Sequence, residues 1–518
     1  MKKRQHWDYE ITAPLRHACH RRPVTRRQFL SQGFMTGSAF VAMPTFLSLL
    51  TRAKAAQAQQ VDCSLGGASM GMPFIGFDLA GGANIAGSNV MVGLQDQLTP
   101  LSPEGYLKLG LPEELTPQRL GVAAYNEEFG IRFHRDSAML RGMLRFTSPA
   151  ARANTNGVII CARSANDTGN NPHNPIYGIN RAGASGALLE LVGTEPTDSG
   201  GRSTIPMTTF DPSKRPTKID RPQDARGLVD TGELVNMLGD AGAAEVMNAM
   251  EQISKDKLAV MAEAQSTSDV VRCAYEQSRQ LVVDFGDPAS VDPLLDPDIV
   301  PVNPADPMAP VPILPDTDTL NNTSEFRKTA SVMKLVVEGK AGAGTIEFGG
   351  YDYHDSTRAT GERKDERAGE AIGMAIEYAH RRNQDLMIYV FSDGSVASNG
   401  QVDNSAQGGG KGIWKGDNSS TAASLILVYG RDGRPPLRNG NHQIGVFRDS
   451  GSVETGAAAG PATQISNSPE SLAEAIVLNY LALHGREGEH PMAMNGSPGL
   501  SGNLDALMGF VNIRAPGV

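Results

Sequence analysis

The sequence predicts an α/β protein with a mostly parallel central sheet, and three features carry that prediction. Short apolar runs of strand length recur at residues 73–79, 158–162, 344–348, 386–391 and 423–429. Two of them, 344–348 and 386–391, flank a helical pattern at 362–382, and strands joined through a crossover helix run parallel. The 518 residues, 40% hydrophobic and 20% charged, are enough to bury a large core and exclude wholesale disorder.

The chain opens with Thr25-Arg26-Arg27-Gln28-Phe29-Leu30, an apolar run from Gly33 to Leu50, and the small-residue sites Ala53-Lys54-Ala55 and Ala56-Gln57-Ala58. This pattern resembles a twin-arginine export signal over residues 1–58, which implies passage through the twin-arginine translocase and a periplasmic or secreted location. Pro44 breaks the apolar run, and Gln60-Val61-Asp62 before Cys63 is not a lipobox. No later segment approaches the roughly 18 continuous apolar residues of a membrane span, so no stable membrane anchor is expected. Residues 1–58 hold ten of the 47 basic residues and only Asp8 and Glu10 of the 57 acids, so the rest carries 37 against 55. A body that acidic repels phosphate backbones, and nucleic acid is not an expected partner. Loss of the leader takes Cys19 and leaves Cys63, Cys161 and Cys273 without a C-x-x-C spacing. Cys161, closing the run Gly157-Val158-Ile159-Ile160, is expected to be a buried thiol, while a Cys63–Cys273 bridge stays open.

Residues 59–518 are expected to form a single domain with two interruptions. The first is a helical insertion at about 220–283, where Leu234, Met237 and Leu238 and then Val246, Met250 and Ile253 recur at helical spacing. The second is a Pro/Asp-rich excursion at 284–322, with eight Asp from Asp284 to Asp318 and nine Pro from Pro288 to Pro315. Such a segment is expected to hold neither helix nor central strand and to run as a solvated loop, with calcium at its Asp-Pro pairs the less favoured alternative. After it come a helix at 324–338 and the helix at 362–382, whose Ala368, Ile372, Ala375, Ile376 and Ala379 form one apolar stripe. Acids cluster at the start of that helix and His380, Arg381 and Arg382 sit at its end, as the helix dipole favours. A last helix at 469–484 is bounded by Ser468 as N-cap, Pro469 at its first position and Gly485 just beyond its end.

The run at 344–348 leads into Gly349-Gly350-Tyr351-Asp352-Tyr353-His354-Asp355, and the run at 386–391 into Ser392-Asp393-Gly394. In extended chain, residues two apart face the same way, so Asp352 and His354 can present an oxygen and a nitrogen to one point. Asp393 is expected at the same sheet edge, and Asp417 of Lys415-Gly416-Asp417-Asn418 can join them. The carboxyl ends of strands in open α/β sheets are where ligands bind, so these residues are a candidate site for a divalent metal. Against this stands the plainer expectation that they cap helices or bond loop backbone. Gly67-Ala68-Ser69-Met70-Gly71 matches a nucleophile elbow but precedes the first strand, and Gly408-Gly409-Gly410-Lys411-Gly412 lacks the Walker spacing, so neither supports a site. Ser164, Thr168 and Ser392 are candidate hydroxyl nucleophiles that spacing does not rank.

Gly-Gly-aromatic-Asp-x-His after a strand, Ser-acid-x-Gly after the next, and then a Gly-rich loop with a Gly-x-Asp element resemble an uncharacterised family of twin-arginine-exported bacterial proteins, related to sulfatases and alkaline phosphatases. Gly81-Gly82 near the mature start, Phe129-Gly130-Ile131-Arg132-Phe133-His134 before a helix, and His173 after the 158–162 run fit the same order. The resemblance spans most of residues 73–430 discontinuously. It implies a three-layer α/β/α sandwich of alkaline-phosphatase type and metal-assisted hydrolysis of a small phosphate or sulfate ester. The implied metal set is Asp352, His354 and Asp393, with Asp78, His173 and Asp417 as further members. The rival is a non-catalytic periplasmic binding or assembly protein on the same fold, related to secretion or surface structures. The chain departs from the family's pattern at Ser392-Asp393-Gly394-Ser395-Val396, where Ser-Glu-Phe-Gly-Arg is usual, and at Asp417-Asn418, where Asp-His is usual. Asn84 also stands near where an acid is common.

Overall fold

The computed structural model describes residues 71–165, 170–229, 287–303 and 308–514, together with Glu245, Ala249 and Gln252. The leader, the Cys63–Cys273 pair, nearly all of the helical insertion and Thr168 lie outside the described residues.

The strands of the main sheet and of the hairpin beside it are β1 (Phe74–Leu79), β2 (Thr155–Ile160), β3 (Leu189–Gly193), β4 (Thr217–Lys218), β5 (Ala341–Phe348), β6 (Leu386–Phe391), β7 (Val396–Asp403), β8 (Lys411–Asp417), β9 (Ser424–Tyr429) and β10 (Gln443–Ile444). Eight of them form one sheet in the order β10-β2-β9-β6-β1-β5-β3-β4. β1 lies between β5 and β6 and is parallel to both, with Asp78 opposite Glu347 on one side and Phe391 on the other. Only β9 runs against its neighbours β2 and β6. β7 and β8 form a separate antiparallel hairpin, and the glycine-rich segment before Lys411 is its turn, where Gly410 N–H closes on the Asp403 carbonyl.

The sheet is hydrophobic on both faces because helices cover both, as a buried parallel sheet requires. Ile75, Phe77 and Leu79 of β1 face one core with helices α1 (Ala138–Phe146), α3 (Ser324–Val337) and α4 (Ala359–Arg381). Phe74 of β1, Met387, Tyr389 and Phe391 of β6, and Ile426 and Val428 of β9 face a second core with helices α2 (Ile176–Arg181) and α5 (Pro469–Leu483). The molecule is therefore a mixed α/β sandwich. The stripe Ala368, Ile372, Ala375, Ile376 and Ala379 is buried along α4. α4 and α1 touch backbone to backbone: a Cβ at Gly369 would stand 1.9 Å from the Met139 carbonyl oxygen. Ser468 caps α5 by accepting from Ser471 N–H at 3.2 Å. Cys161 is a buried free thiol. Among the described residues no helix is long and apolar enough to cross a membrane.

The Pro/Asp-rich excursion corrects the expectation of a solvated, structureless loop. Among the described residues its Asp-Pro pairs are turn caps: Asp287 accepts from Ala289 N–H at 2.8 Å, Asp292 from Leu294 N–H at 3.0 Å and Asp296 from Asp298 N–H at 3.0 Å. Its end forms a short helix, Thr317–Asn322. Val291, Ile299, Val300, Leu314 and Leu320 enter the core beside α3 and α4. Asp292 and Asp296 are buried rather than solvated, with Asp292 bonded to Arg226 and Asp296 to Lys334 and Arg382. Closely spaced prolines exclude long regular elements, but the apolar residues set among them dock the segment all the same.

Candidate metal centre

Because every strand of the main sheet except β9 runs one way, the loops after β1, β2, β3, β5 and β6 and the loop before β9 gather at one rim. The loop after β5 turns rather than runs extended from Gly349 to Thr357: Gly350 and Ser356 hold φ +76° and +66°, and Tyr353 N–H bonds back to the Tyr351 carbonyl at 2.8 Å across Asp352, with Tyr351 and Tyr353 buried and Asp352 and His354 turned outward. Asp355 ends it as a cap, accepting from Thr357 N–H at 3.1 Å and from Thr360 Oγ1 at 2.8 Å. The β8 strand lies alongside, since Ser356 N–H donates to the Trp414 carbonyl at 3.1 Å and Trp414 N–H to the Thr357 carbonyl at 3.2 Å. This pairing brings Asp417, the last residue of β8, to His354.

His354 Nε2 lies 2.8 Å from Asp352 Oδ1 and 3.3 Å from Asp417 Oδ1. The three donor atoms lie within 4.8 Å of one another, so Asp352, His354 and Asp417 could hold a metal ion. Two ligands on one cation with bonds of about 2.1 Å stand about 3.0 to 3.4 Å apart, so the Asp417 contact already fits and the Asp352 contact needs only a small opening. All three side chains reach solvent, at 42%, 36% and 57% exposure, leaving the outer side open to water or an ester. Two carboxylates and an imidazole suit Zn²⁺ or Mn²⁺ better than a soft ion.

The other three predicted ligands stand outside that group. Asp393 is fully buried, with Oδ1 accepting from Gly81 N–H at 2.7 Å and Oδ2 lying 3.5 Å from Arg202 Nε. Gly81 holds φ +126°, and a Cβ there would stand 2.4 Å from Asp352 N, so only glycine lets the β1 and β5 tips close over Asp393. Asp78 is also buried, with Oδ2 accepting from Arg202 and Ser203 N–H, each at 2.8 Å. Burial pushes its carboxyl up to about 7, opposed by the Ser203 N–H and reinforced by the charges of Asp393 and Glu347. His173 is buried, neither ring nitrogen has a hydrogen-bond partner among the described residues, and burial pushes it down to about 4. The structure therefore divides the predicted set into an exposed trio, two buried carboxylates, Asp78 and Asp393, that tie the loops together, and the buried His173.

Asn418 and Asn84, at which the chain departs from the pattern it was compared with above, and Ser392, which begins the other departing stretch, have structural uses. Asn418 Oδ1 accepts from Ser420 N–H at 3.0 Å and caps the turn that starts β9's approach. Asn84 is buried and closes the loop after β1, donating to the Ala86 carbonyl at 2.8 Å and accepting from Ser88. The Ser392 hydroxyl donates to the Leu79 carbonyl at 2.7 Å and accepts from Ala83 N–H at 3.0 Å. Ser164 Oγ is buried near the start of the loop after β2 without a hydrogen-bond partner among the described residues. Arg202, which meets Asp393, carried no signal in the sequence because it follows β3, a strand the apolar runs did not reveal.

No protein-family model and no curated protein matches the chain.

Proposed function

We propose that this chain is an exported, metal-assisted hydrolase of phosphate or sulfate esters on an alkaline-phosphatase-like α/β/α fold. The single observation that carries this is the convergence of Asp352, His354 and Asp417, from two separate segments, at the sheet edge where α/β proteins bind ligands. A divalent ion held there would polarise the ester and lower the pKa of a bound water. The chain's own part is to hold two carboxylates and an imidazole on one side and leave the other side open. Export by the twin-arginine translocase rests on Arg26-Arg27 and the apolar run behind them.

A second reading, a non-catalytic periplasmic binding or assembly protein, is favoured by one observation. The Ser392 hydroxyl, the candidate nucleophile nearest the tip of β6, is committed to backbone on both its donor and acceptor sides. Elemental analysis of the protein exported with its own leader, beside turnover of p-nitrophenyl phosphate and p-nitrophenyl sulfate, separates the two. Stoichiometric metal and ester turnover, both lost in the Asp352→Ala, His354→Ala double variant, support the hydrolase. Metal without turnover supports the binding protein, and a folded protein without metal overturns the hydrolase.

A further inference from the structure

The two segments that supply the metal donors share one buried support. Asp352 and His354 flank Tyr353, and Asp417 lies three residues beyond Trp414 on β8. The Tyr353 and Trp414 side chains are both inside the molecule, at 1% and 0% exposure, and their rings meet at 6.4 Å. The ligand side chains point outward from the same backbone that these rings pin from beneath.

Each ring is in turn fixed by polar groups that burial forbids to wander. The Tyr353 hydroxyl donates to Asp365 Oδ1 at 2.8 Å and accepts from Asn84 N–H at 2.7 Å. Asp365 Oδ2 accepts from Asn89 Nδ2 at 2.7 Å, and Asn89 Oδ1 accepts from Ser137 Oγ at 2.8 Å. On the other side, the Arg358 guanidinium lies 4.4 Å over the Trp414 ring. Arg358 donates to Glu362 Oε1 at 2.9 Å and to Ser88 Oγ at 2.7 Å. Lys411, at the start of β8, bonds both oxygens of Glu362, at 2.9 and 2.8 Å. Asp365 and Glu362 lie one turn apart on α4, so one helix end anchors both ligand-bearing segments.

We propose that Tyr353 and Trp414 are positioning residues for the Asp352, His354 and Asp417 donor set, with Asp365 in α4 and Arg358 at its N-cap as their anchors. The proposal rests on the metal reading of that trio. Without the hydroxyl of Tyr353, the segment loses its tie to Asp365 and Asn84, and Asp352 and His354 lose their fixed spacing to Asp417. Groups that orient a ligand in this way commonly change metal affinity by about 10- to 100-fold when removed.

The test is Zn²⁺ titration calorimetry on the mature exported chain after EDTA stripping, beside thermal melts in EDTA. Tyr353→Phe keeps the ring and is expected to weaken Zn²⁺ by about 10-fold or more. Trp414→Phe, which shrinks the other ring, is expected to do likewise and serves if the first variant folds poorly. A purely structural role would lower the melting temperature in EDTA and leave the Zn²⁺ affinity unchanged, and that result in both variants overturns the proposal. Wild-type protein that binds no Zn²⁺, or binds it as well after His354→Ala, removes the metal reading itself, a failure distinct from intact binding that ignores Tyr353.

Discussion

Asp352, His354 and Asp417 face solvent and meet one another, whereas Asp78, Asp393 and Asp365, at the same rim or directly beneath it, are buried and each accepts hydrogen bonds from fixed donors. Aspartate stands in both regions, and burial assigns it opposite tasks. A carboxylate withdrawn from water must find donors within the protein, because an unpaired one costs several kcal/mol, on the order of the whole stability of a domain. Once its oxygens are occupied by donors within the protein, backbone N–H for Asp78 and Asp393 and side chains for Asp365, little is left to offer an ion. An exposed carboxylate carries no such obligation and remains available. The contrast can be broken by removing charges from each region and comparing what is lost.

The largest effect is expected in the buried frame on the helix side. Asp296, at 1% exposure, accepts from Lys334 Nζ at 2.7 Å, from the Tyr378 hydroxyl at 2.7 Å and from Arg382 Nη2 at 2.8 Å. Burial alone would raise its carboxyl, but Lys334, Tyr378 and Arg382 outweigh it and hold it down at about 2. Asp296→Ala leaves the Lys334 ammonium buried beside Glu338 alone and should cost about 3 to 5 kcal/mol in urea unfolding. Asp296→Leu with Lys334→Met should cost clearly less than the single change, since the penalty lies in the stranded charge. Equal losses would mean that packing of the excursion, not charge, is what the site contributes.

A pH titration sharpens the same contrast from the second core. His484 Nε2 accepts from Met72 N–H at 3.0 Å, so the ring proton sits on Nδ1, 2.7 Å from the Tyr480 carbonyl. Burial, with Arg514 and Arg486 nearby, pushes the imidazole down to about 4. The unfolded chain takes up its proton below about pH 6.5 while the folded chain does not. His484 therefore supports the fold fully above that pH, and its support is lost as pH falls toward 4. The unfolding free-energy difference between wild type and His484→Leu should shrink by about 2 kcal/mol from pH 7 to pH 5. A constant difference would place the proton where the Met72 contact forbids it.

These contrasts also mark how far the sequence alone reaches. The crossover helix, both of its strands and the final helix are legible because apolar periodicity and caps act locally. That Asp352 and His354 share a side is legible from their two-residue spacing, although the segment carries a tight turn at Asp352 instead of the extended chain which that spacing assumes. Where Asp393 points is not, because it depends on the Gly81 N–H, 312 positions away in sequence. Tyr353, lying between two outward residues, could have been read as an inward anchor from that spacing. Trp414 could not, because β7 and β8 carry polar residues and irregular register rather than an apolar run.

The smallest stability effects are expected at the rim, and they decide the comparison. Asp393→Ala removes the acceptor of a buried backbone N–H and should cost about 1 to 3 kcal/mol. Asp352→Ala or Asp417→Ala removes an exposed carboxylate and should stay within about 0.5 kcal/mol in EDTA. Added Zn²⁺ should reverse the ranking in what it stabilises. The wild type and Asp393→Ala should both gain melting temperature in proportion to ligand excess over Kd, while the rim variants gain little. If Asp393→Ala instead abolishes the Zn²⁺-dependent gain and Asp417→Ala keeps it, the ion sits among the buried carboxylates, and the outward-facing trio is surface charge.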